Sequence, residues 1–316
     1  MIEVVVTARH DEAVDICSYE LAAADGQALP AFSAGAHIDV HLADGLVRQY
    51  SLCNHPQERH RYLIGVLKDA ASRGGSQALH EQVRQGDRLR ISAPRNLFAL
   101  HEGAERSLLF AGGIGITPIL AMAEALARDG APFELHYCAR SSERAAFLAR
   151  LRAAPFADRV QVHFDEQPET RLDAAQVLAN PRPGQHLYVC GPAGFMAHVL
   201  DTAKAQGWAE DHLHREYFAP VAVDTSADGS FAVKLNRCGR TFQVPADKTV
   251  VQVLESHGVE VPISCEQGVC GTCLTRVLEG VPEHRDLFLT EEEQAANDQF
   301  TPCCSRARSA LLVLDL

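Results

Sequence analysis

The chain opens with short runs in which apolar and polar positions alternate. In the first hundred residues these are "IEVVVTA", "HIDVHL", "RQYSL", "RYLIGVL" and "DRLRISA", each bounded by turn-forming residues. Regularly spaced β-prone runs of this length predict an antiparallel barrel or sandwich. One helix is expected at "SQALHEQV", with Ser76 as its cap. Near residue 105 the period changes. "RSLLFAGGIGITPILAMAEALARDG" reads as an apolar strand, a glycine turn and a helix that stops at Gly130. "FELHYCAR", "VQVHFDE" and "HLYVCGP" are further apolar strands, and "SERAAFLARLRAA" and "GFMAHVLDTAKAQ" are helices that follow strands. Strands alternating with helices predict a parallel sheet with crossover connections.

Residues 219–229, "APVAVDTSADG", are small and polar and read as a linker. Beyond them "FAVKLNRCGRTFQVP" predicts a hairpin, "TVVQVLESHG" a helix and "SALLVLDL" a last strand. There is no internal repeat and no low-complexity tract. Three domains are therefore expected, at residues 1–102, 103–222 and 230–316.

Composition narrows the class. Of 316 residues 47% are hydrophobic and 22% charged, so the chain is globular with room for real cores. A formal charge of −12 without any basic run argues against a nucleic-acid or anionic-membrane partner. Ser107 to Ala123 carries no charge, but its glycines and Pro118 would break a membrane helix. "MIEVVVTARHDE" has neither a basic start nor a long apolar core, so no signal peptide is expected and the protein is placed in the cytoplasm. There, ten cysteines argue against a disulfide framework and for metal or redox work. The fifteen histidines show no metal spacing, and "HLHRE" and "RHRY" read as surface residues.

The strongest chemical signal is "CEQGVCGTC", residues 265–273. Cys265, Cys270 and Cys273 are spaced C-x4-C-x2-C, and twenty-nine residues separate Cys273 from Cys303. That is the plant-type pattern for a 2Fe–2S cluster. Two sulfide-bridged irons need four thiolates, and one tight loop can supply three. Gly268 and Gly271 let the loop turn and aim backbone N–H groups at sulfur. Structural zinc usually takes two C-x2-C pairs, and the second pair is missing. Cys303, Cys304 and Cys238 all offer a fourth thiol. Adjacent side chains in a strand alternate, so only one of Cys303 and Cys304 can face a common centre, and Cys238 falls in a hairpin turn.

Two further regions carry binding chemistry. In "RQYSLCN", Arg48 can neutralise a phosphate, Tyr50 can cover a flat ring and Ser51 can hydrogen-bond ring atoms. In "SRGGSQALHE", Gly74, Gly75 and Ser76 approach a helix N-terminus, a natural anion site. "AGGIGITP", with Gly113, offers glycine amides to a pyrophosphate, although it is not the G-x-G-x-x-G fingerprint. "VCGP" places Cys190, Gly191 and Pro192 at a strand's carboxyl end, where ligands collect in open α/β sheets.

A barrel with "RQYSLCN" and "PRNLF", a sheet with "GGIGITP" and "CGP", then "CEQGVCGTC" and "SRARSALLVLDL", resembles the phthalate dioxygenase reductase family along essentially the whole chain. The resemblance implies an antiparallel flavin-binding β-barrel, a ferredoxin-reductase-type parallel α/β NAD domain and a C-terminal plant-type ferredoxin domain of β-grasp type. It implies FMN rather than FAD, held by Arg48, Tyr50, Ser51, Val66, Lys68, Gly75 and Ser76. It sets Thr117 near the flavin's reactive edge, Phe218 at the ring where nicotinamide enters, and Cys190 beside it. Arg140 and Ser141 match nucleotide contacts. Asp165 matches a carboxylate for the adenosine ribose, which favours NADH over NADPH, while Arg140 and Arg144 could accept a 2′-phosphate. The family's final motif selects Cys303 as the fourth cluster ligand and leaves Cys304, usually aliphatic, in the small domain's core. The implied function is an NADH-dependent reductase passing electrons through FMN and a 2Fe–2S cluster to a Rieske-type terminal oxygenase or O-demethylase of aromatic catabolism. An FAD reductase for another acceptor and a zinc-stabilised binding protein are the rival readings.

Overall fold

A computed structural model describes residues 1–42, 45–69, 74–218, 225–226 and 228–316. It separates into two compact units, Met1–Glu216 and Tyr217–Leu316. Most of the expected linker, residues 219–224 and 227, lies outside the described residues. Among the described residues no helix is long and apolar enough to cross a membrane.

The first sheet contains β1 (Ile2–Ala13), β2 (Ile16–Ala23), β3 (Ala36–His41), β4 (Val47–Ser51), β5 (Tyr62–Leu67), β6 (Arg88–Ile91) and β7 (Arg95–Asn96). All pairings are antiparallel, in the order β4-β3-β6-β1-β2-β5, with β7 beside β3. A Leu52–Ile64 bridge joins the ends of the path, so the sheet closes as a barrel. Its core includes the fully buried Val4, Tyr19, Ile38 and Ile64. β2 is absent from the expected strands, because "ICSYELAA" lacks a clean alternation and is buried almost throughout. One helix, α1 (Gly75–Gln82), lies beside the barrel. Ser76 does not cap it. Gly74 takes that position at φ 91°, a left-handed conformation that favours glycine, and no side chain caps the helix.

The second sheet is wholly parallel: β8 (Arg106–Gly112), β9 (Phe133–Ala139), β10 (Val160–Phe164), β11 (Gln185–Cys190) and β12 (Leu213–Glu216). Its order is β10-β9-β8-β11-β12, so the chain reverses direction across the sheet between β8 and β11. Helices α2 (Ile116–Arg128) and α5 (Ala193–Ala205) follow these two central strands. The helix expected over "SERAAFLARLRAA" is only α3 (Leu148–Ala153), because Phe147 adopts a left-handed φ of 60°. α4 (Ala174–Val177) is a single turn capped by Asp173. The segment "HLHRE" forms β12 rather than free surface.

The second unit holds a mixed sheet of β13 (Phe231–Leu235), β14 (Thr241–Val244), β15 (Thr275–Glu279), β17 (Gln299–Phe300) and β19 (Leu311–Leu314), with the short pair β16 (Pro282–Glu283) and β18 (Arg306–Ala307). The outer hairpin β13–β14 leads to α6 (Val250–Ser256), whose buried Val250, Val253 and Leu254 face the core. A Thr249–Gln252 capping box starts this helix, and Thr290–Glu293 starts α7 (Glu291–Ala296) in the same way. Arg306 is a buried clamp: its guanidinium donates to the carbonyls of Lys248, Gly229 and Pro245 at 2.8–3.1 Å. Antiparallel barrel, parallel α/β sheet and β-grasp unit are the architecture that the sequence predicted.

Candidate functional site

The thiols converge. Cys265 is within hydrogen-bonding reach of Cys270 and Cys303, and Cys303 also of Cys273. Cys270, Cys273 and Cys303 are buried and Cys265 is partly exposed. The contacts run as an open chain, Cys270–Cys265–Cys303–Cys273. Among the described residues no three His, Cys, Asp or Glu side chains surround one position for a single ion. Four converging thiols are the donor set that two sulfide-bridged metal atoms take, two thiolates each. Crowding pushes neighbouring sulfurs in opposite directions: Cys265 towards the thiolate, Cys270 and Cys303 towards the protonated form.

The loop is built for this purpose. Gln267 N donates to Cys265 Sγ at 3.3 Å and Thr272 N to Cys270 Sγ at 3.5 Å. Gly268 and Gly271 have φ of 71° and 64°. A Cβ at Gly271 would stand 2.3 Å from the Phe288 ring, and one at Gly268 would stand 2.4 Å from Cys304 Sγ. No larger residue fits either position without displacement. Four thiols with backbone donors in a glycine loop fit a 2Fe–2S cluster. The strand argument about the fourth ligand fails, however. Residues 302–304 form a turn rather than a strand, so the sulfurs of Cys303 and Cys304 need not alternate. Cys304 packs against the core of the unit, as expected, and its sulfur also lies beside Cys303. Cys238 is exposed in its hairpin turn.

In the first unit Arg48 lies against Gly75. A Cβ there would meet the Arg48 side chain at 2.4–3.0 Å. This brings a guanidinium to the N-terminus of α1, as the phosphate-pocket reading requires. Ser76 Oγ accepts from Asp69 N at 3.3 Å. Lys68 is tied to Glu81 of α1 at 2.9 Å. Val66 is fully buried in the barrel core, so its backbone is what it can offer a ligand. Tyr50 is half-buried at the rim, and burial raises its pKa.

A second group gathers where the barrel meets the carboxyl ends of the parallel strands. Cys190 and Glu216 are paired at the ends of β11 and β12. Ser51 Oγ, at the end of β4, donates to Glu216 Oε2 at 3.3 Å, and His37 Nδ1 lies 4.0 Å from Glu216 Oε1. Thr117 is buried in the first turn of α2. Its Oγ1 donates to Ile114 O at 3.0 Å, and its methyl group would stand 2.7 Å from a Cβ at Gly65 of β5. The loops after β8 and β11 touch: a Cβ on Gly115 would stand 2.2 Å from Cys190 O. Gly191 passes close to Gly112, and Pro192 and Phe195 crowd the same glycine. Gly113 has a left-handed φ of 53°. This crevice at the reversal of strand order is where ligands bind in open α/β sheets.

Glu216 was not foreseen from sequence. Burial pushes its carboxyl up to about 8, against a smaller opposing pull from Ser51, and Cys190 is pushed up by burial and by Glu216. The available signal was a lone acid at the end of "HLHRE", two residues before Phe218. Phe218 is 39% exposed.

The expected nucleotide contacts sit further along the sheet. Ala139 and Phe164 are paired at the ends of β9 and β10, so Arg140 and Asp165 leave adjacent strands together, both exposed. Ser141 is half-buried after Arg140. Arg144 is paired with Asp15 at 3.7 Å, which offsets its charge.

The histidines also differ from expectation. His186 Nδ1 and His214 Nε2 are 2.9 Å apart, His101 stacks on His186 at 4.1 Å, and His212 lies 4.4 Å from His186. Burial and neighbouring imidazoles lower His214 to about 4. These rings pack against one another along β11 and β12.

Comparison with known proteins agrees with this geometry. The model of a 2Fe-2S iron-sulfur cluster binding domain matches residues 233–308. That of the dimethylamine monooxygenase subunit DmmA-like N-terminal domain matches residues 89–213. The chain is 73% identical over 317 residues to a vanillate O-demethylase oxidoreductase of Pseudomonas putida, covering 100% of both proteins. It is 62% identical to a protein of the same name from a Pseudomonas sp. strain, again over 100% of both. A solved phthalate dioxygenase reductase, described as a modular structure for electron transfer from pyridine nucleotides to 2Fe–2S, superposes with a TM-score of 0.78 at 39% identity. That match covers 100% of this chain and 98% of the other.

The Glu216 carboxyl gives a testable pH dependence. Its folded-state pKa, about 8, lies above its ordinary 4.5, so the folded protein holds the proton more tightly. The stabilisation is complete below the ordinary value and is lost as pH rises through the folded one. One pKa unit is worth about 1.4 kcal/mol, and residual solvent exposure discounts the shift, leaving an effect on the order of 1–3 kcal/mol. Melting temperatures taken from about pH 5 to about pH 9 should fall less for Glu216→Gln than for the parent. Parallel curves would contradict the assignment.

Proposed function

The chain belongs to the phthalate dioxygenase reductase family, and on that premise we propose that it draws electrons from NADH and delivers them singly to a Rieske-type oxygenase component. The convergence of Cys265, Cys270, Cys273 and Cys303 carries this reading. When bound, FMN accepts a hydride and a plant-type cluster near about −400 mV relays single electrons, downhill to a Rieske centre at about −150 mV or above.

The residues divide the work of positioning. Arg48 and the N-terminus of α1 neutralise the FMN phosphate, with Gly74, Gly75 and Ser76 letting the phosphate approach the backbone. Tyr50 and Ser51 would hold the ring at the barrel rim, with Val66 and Lys68 as further contacts. Thr117 and Cys190 line the crevice into which the nicotinamide enters. Gly113, Gly191 and Pro192 shape the pyrophosphate path. Arg140 and Ser141 meet the nucleotide, and the Asp165 carboxylate accepts from the ribose hydroxyls while repelling a 2′-phosphate. No side chain has to act as a general acid or base in hydride transfer between two cofactors.

The partner docks on the thiol loop, around Glu266–Gly271, where Ile263 and Leu274 expose 36% of their surface beside the ligands. Full-length likeness to vanillate O-demethylase oxidoreductases supports an O-demethylase acting on vanillate as the electron acceptor's system.

Two variants test the assignment. Cys303→Ser should lose the visible absorption and EPR signal of the cluster while NADH still bleaches the flavin. If Cys304→Ser does this instead, the fourth ligand is Cys304. Asp165→Ala should narrow the NADH/NADPH ratio of kcat/KM about tenfold, corresponding to about 1.4 kcal/mol of lost discrimination. An unchanged ratio would remove Asp165 from the ribose site.

A further inference from the structure

We propose that His80 is a positioning residue for the flavin phosphate: its ring ties the last turn of α1 to the barrel and so fixes where the helix N-terminus points. The inference rests on the FMN site set out above and adds to it a residue that acts through the helix.

Three observations carry it. First, the N-terminus of α1 is not fixed by its own cap. The N-cap is Gly74, which has no side chain to engage the first-turn amides. Second, His80 spans the helix and two adjacent barrel strands. Its Nε2 lies 2.9 Å from Val66 O of β5. A carbonyl only accepts, so the half-buried ring donates through Nε2. Its Nδ1 lies 3.5 Å from Cys17 Sγ of β2, and Cys17 and Val66 face each other in the register. Third, the neighbouring anchors leave the direction of the helix to this contact. Tyr19 Oη of β2 donates to Leu79 O at 2.8 Å, and Leu79 is fully buried, which presses the helix onto the barrel. One such point is a pivot; a second, on β5, defines a direction. The Lys68–Glu81 pair also reaches α1 from beside β5, but its side chains are 40% and 47% exposed, and exposed pairs contribute little.

The physical consequence follows from geometry. Gly75, against which the Arg48 side chain lies, is about 7.5 Å along the helix axis from His80. Freed at His80, the helix turns about Leu79 and carries its first amides away from the guanidinium. An anion at a helix N-terminus needs those amides to converge on it, and the attraction fades within the first turn. The flavin ring, at Tyr50 and Ser51 on the barrel rim, does not depend on that convergence.

The test strips flavin from the full-length protein and titrates it separately with FMN and with riboflavin, which has the ring and no phosphate. Quenching of flavin fluorescence reports binding. His80→Ala and His80→Phe should raise the Kd for FMN about tenfold and leave that for riboflavin within about twofold of the parent's. His80→Gln, whose amide N–H can still reach Val66 O, should recover more than half of the lost FMN affinity. Parent-like FMN affinity in the Ala and Phe variants, equal losses for FMN and riboflavin, or a Gln variant that matches Ala would each overturn the proposal and leave the FMN site standing. A parent protein that binds FMN no more tightly than riboflavin would overturn the phosphate pocket itself, and the role of His80 with it.

Discussion

Everything in the second unit answers to one constraint: four sulfurs must be held within contact of one another in a largely buried place. Thiolates that close repel, and burying such charge without compensation is costly. The arrangement becomes favourable when two cations and their bridging sulfides fill the space between them. The surrounding structure anticipates that filling. Gly268 and Gly271 exist because Cys304 and Phe288 occupy the positions their side chains would take. Arg306 gathers three carbonyls just beyond Cys303 and fixes the C-terminal strand against the linker side of the unit. Asp228 accepts from Arg285 at 2.9 Å and lies 3.5 Å from Arg306, so the two cations are compensated.

The first unit obeys a different constraint, that of backbone approach. Strand order reverses between β8 and β11, and the two loops leaving those strands touch so tightly that Gly112, Gly115 and Gly191 tolerate no side chain. Ser51 of the barrel meets Glu216 of the sheet across the same crevice. Barrel and sheet therefore share one mouth. A carboxyl raised to about 8 by burial adds little negative charge to that mouth at neutral pH.

How legible this was depends on the range of the interaction involved. The thiol spacing, the wholly apolar strands and the glycine turns are local features, and each appears in the structure as read. Contacts made across the fold were not legible. Glu216 looks like any acid in "HLHRE" until β12 pairs with β11 and brings it beside Ser51. The same pairing stacks His186 and His214, which the spacing of histidines along the chain could not show. Gly74 displaced Ser76 as helix cap because a left-handed residue ended the approach one step sooner. Alternation failed at Cys303 and Cys304 because Thr301 to Ser305 is a turn, and alternation belongs to strands.

The central claim is that Cys265, Cys270, Cys273 and Cys303 hold two irons and two sulfides. The direct measurement is the iron, zinc and acid-labile sulfide content of freshly purified anaerobic protein. The account predicts two irons and two sulfides per chain with negligible zinc. One zinc per chain and no labile sulfide would contradict it, and with it the route by which single electrons leave the molecule.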